Sequence, residues 1–491
     1  MTENRQAIDR TPPPVHLRIG AERRTAGSGG AHEHIDPATG AANAAIPLAG
    51  PAEVNEAVAV AQEAFESWRR TSPAIRRRLL LTLADLIEQN AEEFARRGAL
   101  DNGTPLLYGR GFPINAAEWT RYYAGWADKI LGDVNGLPTA DGEFGYTIAK
   151  PYGVIGIIIT WNGPLISLAM KIPAALAAGN TVVVKPSELT PFSAELFADL
   201  VERAGFPAGV VNVLPGDAAA GQALVEHPLV RKISFTGGPA TARRILQSAS
   251  ATMKPTLLEL GGKSANIVFD DADLDDACAI GTRFSLIALA GQGCAFATRM
   301  LVQDTVYDEV VARVTAIAES NRPGDPFEEG VLTGPVVNED AVHRILGMIE
   351  RAQRDGATLV TGGHRIGGEL ADGYYIEPTV FTDVDPQSEL AQTEVFGPVL
   401  AIFRFRTEEE ALELANSTPY SLSSYVQTRD LNRAIRLATE LHAGQTLING
   451  ATNLRVARPF GGFGISGVGK EGGRHGLEEF LQVKSVGIVV G

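Results

Sequence analysis

VIGIIITWNGPLISLAMKIPAALAAGNTVVVKPSELTP, residues 154–191, is the stretch whose reading decides the fold. It holds two apolar runs of strand length, Val154–Thr160 and Thr181–Pro186, separated by a helical stretch bounded by Gly and Pro. Three further runs follow: VVNVL (210–214), KISF (232–235) and TLLEL (256–260). Strand-length runs alternating with helices mark right-handed βαβ units and a parallel, doubly wound sheet. One gap is explicit, since Thr190 can cap a helix with Pro191 in its first turn and Gly205 at its end. A dinucleotide site is expected at the C-terminal ends of such strands.

On the N-terminal side, Ala52 to Trp68 carries apolar residues at helical spacing, and a second amphipathic helix is expected from Ala74 to about Arg97. Residues 1–15, which include Pro12-Pro13-Pro14, read as a disordered arm. On the C-terminal side the alternation restarts after Gly262 and runs to about Asn449, predicting a second α/β unit. A Gly-rich loop at 461–473 precedes a β-branched strand, Gln482 to Gly491. That strand has no local partner, so pairing with another subunit is expected.

A chain of 491 residues exceeds what one core organises, and 45% hydrophobic with 21% charged residues fits an ordinary folded protein. The formal charge of −15 argues against nucleic acid and anionic membrane as partners. A dinucleotide remains admissible, because backbone N–H groups at a helix N-terminus hold phosphates without net positive charge. The apolar runs are too short to span a bilayer and the N-terminus is polar, so a cytoplasmic location is expected. Two cysteines, Cys278 and Cys294, exclude a Cys-rich zinc site and a disulfide scaffold and fit a reducing compartment.

Several apparent motifs fail their context. The G-x-G-x-x-G match, Gly462 to Gly467, has no room for a βαβ unit behind it. Gly464 to Lys470 approaches a P-loop but continues with Glu471, and Gly262-Lys263-Ser264 has Leu257 where the first glycine belongs. His32 and His34 read as a solvated turn, and no metal is implied.

The chemistry gathers elsewhere. Cys294 lies in GQGCAFATR (291–299), where small neighbours leave a carbonyl room to reach the sulfur. The competing reading, a buried structural thiol, fits Cys278 better, in the helical stretch DDACAIGTRFS (275–285). Glu259 ends a strand in LELGGKSAN (258–266), where a carboxylate can act as general base. Thr160-Trp161-Asn162-Gly163-Pro164 closes the first strand, and the Asn162 amide can donate to a developing oxyanion.

From about Ile35 onward the chain resembles the aldehyde dehydrogenase superfamily, NAD(P)-dependent, hydrolytic and non-phosphorylating. The segments TWNGP, KPSELTP, FTGG, LELGGK, GQGC, EVFGPV and PFGGFGISG stand in that family's order and spacing. The resemblance implies that Cys294 attacks the aldehyde, with the alkoxide held by the Asn162 amide and the Cys294 N–H. Hydride then passes to nicotinamide, and water activated by Glu259 hydrolyses the thioester. Lys171 and Glu471 resemble groups that relay protons behind the base. For the cofactor, Lys185 and Glu188 correspond to the adenosine ribose site; Glu188 favours NAD, while Lys185 leaves NADP open. Phe235, Thr236, Gly237 and Gly238 correspond to the pyrophosphate turn, with Gly238 departing from the commoner Ser. Glu394 and Phe396 correspond to the nicotinamide side, and Thr160, Trp161, Gly216, Leu260 and Gly261 complete the set.

In the substrate tunnel Gly163 and Met170 replace frequent aromatics while Phe460 keeps one aromatic wall. A wide tunnel is therefore expected, suited to a bulky aromatic, terpenoid or medium-chain aldehyde. The implied organisation is a Rossmann-like cofactor domain (1–132 and 151–261), a catalytic domain (262–465) and an oligomerisation element (133–150 and 470–491) of a homodimer or homotetramer. Two other readings compete: a CoA-acylating dehydrogenase, against which Glu259 argues, and a non-catalytic protein retaining the fold.

Overall fold

The Val- and Ile-rich runs form a parallel sheet in the computed structural model, which describes residues 9–135, 143–450 and 454–489. Val154–Ile158 (β1), Thr181–Lys185 (β2), Val211–Val213 (β3), Val230–Thr236 (β4) and Thr256–Glu259 (β5) lie in the order 5-4-1-2-3. Leu17–Ile19 flanks β3 and Gly467–Val468 flanks β5, both antiparallel. Every residue of β1 and β2 is buried, as expected of strands covered on both faces. The chain runs from β1 out to β3, then returns to lay β4 on the other side of β1. The connections therefore part between β1 and β4, which opens a crevice at their C-terminal ends.

Helix Pro164–Ala178 (α1) follows β1 and is buried along its whole length. Helix Pro191–Arg203 (α2) follows β2, and Gly205 adopts φ 88° just beyond its end, as a left-handed stop requires. Its cap differs from expectation. The Thr190 hydroxyl is buried without a hydrogen-bond partner, and the Asp101 carboxylate instead accepts from Phe192 N–H (2.8 Å) and Ser193 N–H (2.9 Å). Helices Ala218–Glu226 (α3) and Pro239–Ser250 (α4) flank β4.

A second sheet holds Ala265–Val268 (β6), Arg299–Gln303 (β7), Thr379–Thr382 (β8), Val399–Phe405 (β9), Ser423–Gln427 (β10) and Gln445–Ile448 (β11), in the order 8-9-7-6-10-11. These six run parallel, with Thr358–Thr361 antiparallel outside β8. This unit has its own core, which includes Phe269, Ile345, Phe381 and Phe405. The two parallel sheets realise the α/β class read from the sequence.

Four local expectations are corrected. The helix expected from Ala74 to Arg97 is two helices, Pro73–Gln89 and Ala91–Asn102, because the Asn90 side chain turns back onto the Leu86 carbonyl at 2.7 Å. Residues 9–15 are not a free arm, since Arg10 bonds Asp36 at 2.7 Å and also pairs with Asp325, and Val15 is buried; residues 1–8 lie outside the described residues. The C-terminal strand, Leu481–Val489, has a partner in its own chain: it pairs along its whole length with Glu143–Pro151. His34 is not solvated but buried in strand Ala31–Ile35, with Nδ1 against Asn43 Oδ1 at 2.8 Å and Nε2 against the Leu189 carbonyl at 3.1 Å. Residues 136–142 and 490–491 of the expected oligomerisation element lie outside the described residues.

Candidate active site

The crevice between β1 and β4 opens into a cleft of about 860 Å³. Thr160, Trp161 and Asn162 reach it from the end of β1, Lys185 and Glu188 from β2, and Phe235 to Gly238 from β4. Glu259, Leu260 and Gly261 enter from β5, and Cys294, Glu394 and Phe396 close it from the second unit. Gly216 stands behind the wall, where its carbonyl accepts a hydrogen bond from Lys185 Nζ.

Cys294 is held by an unusual loop. A π-helical turn, Arg283–Ile287, leads into Leu289 (φ 50°) and Ala290 (φ 49°), two non-glycine residues in the left-handed region. Such positions cost about 1–3 kcal/mol each and persist only where the surroundings enforce them. The Gln292 side chain does so: it donates to the Leu289 carbonyl at 2.9 Å and accepts from Val337 N–H at 3.0 Å. Asn162 Nδ2 donates to the Gln292 carbonyl at 2.9 Å, tying the end of β1 to the loop two residues before the thiol. Gly261 and Gly262 are required by close approach, because a Cβ at either would collide with the Glu394 carboxylate or the Cys294 carbonyl. Gly262 N–H donates to Glu394 Oε1 at 3.0 Å.

Burial sets the electrostatics. It pushes the Cys294 thiol up to about 12, aided by the charges of Glu394 and Glu259 and opposed by the N–H groups of Ala295 and Cys294. It also raises Glu259 well above the carboxylate range; Glu471 adds to this, and Lys171 and Lys470 oppose it. Both Glu259 carboxylate oxygens are buried without a hydrogen-bond partner among the described residues. Burial takes Glu394 up to about 7 against the pull of Gly262 N–H, Lys263 and Arg344. The three acids are thus biased toward their neutral forms, and a positive charge entering the cleft would favour their ionisation.

Behind Glu259, fully buried Lys171 donates to Glu471 and to Ser234 Oγ, the latter at 3.1 Å. Glu471 is fixed in turn by paired backbone bonds with Phe460. Lys171 and Glu471 do not line the cleft but form its second layer. Cys278 sits in helix Leu274–Thr282 with its thiol pushed up to about 11 by burial, as a structural cysteine should.

The Lys185 ammonium is already occupied. It donates to the carbonyls of Pro186 (3.1 Å) and Gly216 and stands 3.7 Å from Glu188, while burial lowers its pKa. It is therefore poorly placed to clamp an additional phosphate. At the pyrophosphate turn Gly237 packs against the Phe235 ring with no room for a Cβ, and the N-terminus of α4 faces the cleft at Gly238. Trp161 and Phe396 meet edge to face at 5.3 Å, and Phe396 holds φ 51°. A long cleft with a bare helix N-terminus, a glycine turn and the Glu188 carboxylate at its rim fits a dinucleotide.

Met170 and Phe460 lie on the other side of Cys294, in a buried cluster with Trp119 against which Cys294, Phe112 and Tyr122 pack. A Cβ at Gly163 would meet nothing within 4 Å, so space is open there. Sequence reasoning missed Arg344 on helix Glu339–Arg354 (α5), which lines the cleft and bonds the Val395 carbonyl and, at 3.4 Å, that of Phe396. An arginine within an amphipathic helix resembles a solvated face. Only the fold brings it beneath the EVFGP segment.

The family model for the aldehyde dehydrogenase family matches residues 25–486. An aldehyde dehydrogenase of Aspergillus niger is 42% identical over 476 residues, covering 96% of this chain and 95% of that protein. The crystal structure of PnpE from Pseudomonas sp. WBC-3 matches with a TM-score of 0.94 and 40% identity, covering 97% of this chain and 98% of that one. The NAD+ complex of an aldehyde dehydrogenase from Bacillus cereus matches with a TM-score of 0.94 and 37% identity, over 98% and 97% of the two chains. Fold, cleft and similarity over nearly the full length agree, and the chain belongs to the aldehyde dehydrogenase family.

Proposed function

We propose that this enzyme oxidises an aldehyde to a free carboxylic acid with NAD, using Cys294 as nucleophile and Glu259 as base. The observation that carries this is the convergence of Cys294, Asn162 and Glu259 on one cleft, with the Glu259 oxygens buried and unpartnered. The Cys294 sulfur, once deprotonated, attacks the carbonyl carbon and creates an alkoxide. One Asn162 amide hydrogen is committed to the Gln292 carbonyl, which aims the other, with the Cys294 N–H, at that oxygen. One such donor is worth about 3–4 kcal/mol of barrier. The alkoxide collapses to a thioester as the hydrogen on its carbon leaves as hydride; NAD, when bound, would supply the acceptor for that hydride and a positive charge within the cleft. Glu259 then takes a proton from water as its oxygen attacks the thioester carbon, and the Cys294 thiolate leaves. Lys171 and Glu471 carry the proton onward, since their ion pair lies directly behind the base.

Glu188 supports NAD over NADP, because a 2′-phosphate would meet a carboxylate while Lys185 is spent on carbonyls. A homo-oligomeric assembly is supported by the outer edge of Leu481–Val489, which pairs with no further strand among the described residues and where Val483 and Val489 are exposed. The chain divides into a cofactor unit, a catalytic unit and this small sheet, and its free thiols suit a reducing cytoplasm.

Product analysis tests the reading. Aldehyde and NAD alone should yield NADH and free acid in equal amounts. An absolute requirement for CoA would replace hydrolysis with acyl transfer to a thiol.

The open space at Gly163 predicts a preference for bulky aldehydes. Gly163→Phe should lower kcat/KM for an aromatic aldehyde by about tenfold or more while leaving acetaldehyde within about threefold. Equal losses on both substrates would contradict a wide tunnel at that point.

A further inference from the structure

A second, much smaller cavity of about 10 Å³ lies in the unit that carries Cys294, and it shares no wall residue with the cofactor cleft. It sits at the N-terminal ends of β6, β7 and β10, three neighbouring strands, on the sheet edge opposite to the one where open α/β sheets usually bind ligands. Lys263 and Ser264 lead into β6, Arg299 opens β7 and Ser423 opens β10.

The charges around this cavity do not balance. Lys263 is 1% exposed, and its Nζ has no hydrogen-bond partner among the described residues; the buried Ser264 hydroxyl has none either. Arg299 is 3% exposed and donates to the carbonyls of Lys263 (2.9 Å), Leu414 (2.8 Å) and Ala415 (2.8 Å), which satisfy its N–H groups without neutralising it. No Asp or Glu stands in the cavity wall. Burial and the Arg299 charge bring Lys263 down to about 7, with Glu394 pulling the other way from beyond hydrogen-bond reach, and burial alone brings Arg299 down to about 10.

Two buried cations side by side call for a counter-charge, because a buried charge is tolerated when it is both hydrogen-bonded and paired. Water would fill the space and meet the Ser264 hydroxyl, but it would leave the charge. An anion does both. The volume is about what one water-sized guest occupies, so a monatomic anion is admitted while sulfate, phosphate and carboxylates are too large.

We propose that this cavity is a halide site, in which one chloride ion accepts from the Lys263 ammonium and the Ser264 hydroxyl with the Arg299 charge beside them, joining the N-terminal ends of β6 and β7.

Thermal unfolding of the full-length protein in sodium chloride and in sodium gluconate at one ionic strength tests this, with Lys263→Met and Ser264→Ala alongside. Chloride should raise the wild-type midpoint saturably, by about 2–4 °C over gluconate. Lys263→Met keeps the apolar stem without the charge and should lose that difference. Ser264→Ala should need about three- to tenfold more chloride for half the rise. Crystals grown in bromide should carry an anomalous peak inside the cavity. No chloride-specific rise in the wild type, an undiminished rise in Lys263→Met, or a water in place of bromide would each overturn the site. Should Lys263→Met fail to fold, the Ser264→Ala shift and the bromide peak decide the question.

Discussion

Cys294→Ala is expected to lose aldehyde-dependent NADH formation by at least about 10⁴-fold while keeping its fold and its affinity for NAD. The size of the effect follows from the absence of a substitute. Cys278 is the only other thiol, and it is buried in a separate core cluster with Val268 and Met300. The Cys294 side chain is only partly buried and faces the cleft, so the fold should tolerate alanine. Turnover with an aldehyde and ester hydrolysis, measured beside circular dichroism and NAD titration, check the result. Retention of either activity would remove the nucleophile from the mechanism.

Glu259→Gln should separate the two halves of the reaction. Its shape is preserved, so acylation and one equivalent of NADH are expected in a rapid burst, followed by turnover slowed about 10²- to 10³-fold. Intact-mass measurement after quenching should find the acyl group on Cys294. No burst and no adduct would mean that Glu259 acts before the thioester forms.

The pH dependence follows from the direction of the shift. Burial raises Glu259 far above its usual value, so the base form grows as pH rises, and the wild-type steady-state rate should climb into the alkaline range. The Glu259→Gln variant should lose that part of the climb. Stability should respond with the opposite sign. A carboxyl whose folded pKa is raised contributes stability that is complete below its unfolded pKa, about 4.3, and is lost as pH rises toward the folded value. Glu259→Gln should therefore gain thermal stability relative to wild type at alkaline pH, with the gain shrinking near pH 5.

Much of the site could be read in the sequence because its parts sit at strand ends. Asn162 follows β1, Lys185 ends β2 with Glu188 just beyond it, Thr236 ends β4 and Glu259 ends β5. Hydrophobic period marks strands directly, and the doubly wound topology turns strand ends into one cleft edge. Arg344 escaped because an arginine on an amphipathic helix carries no such marker. The capping of α2 escaped for a related reason: Thr190 is the right residue at the right place, yet Asp101 from a distant helix reaches the same N–H groups first. Asn90 likewise interrupts an unbroken amphipathic pattern through one side-chain bond.

By itself the sequence determined the two alternating α/β units and the strand-end positions of Asn162 and Glu259. These are local properties, set by side-chain period and chain length. Only the tertiary structure decided that Leu481–Val489 pairs within its own chain, that Lys185 is spent on carbonyls, and that burial shifts the Cys294 and Glu259 pKa values upward. Pairing, hydrogen-bond competition and desolvation each depend on which distant groups arrive at the same point, and no spacing along the chain encodes that.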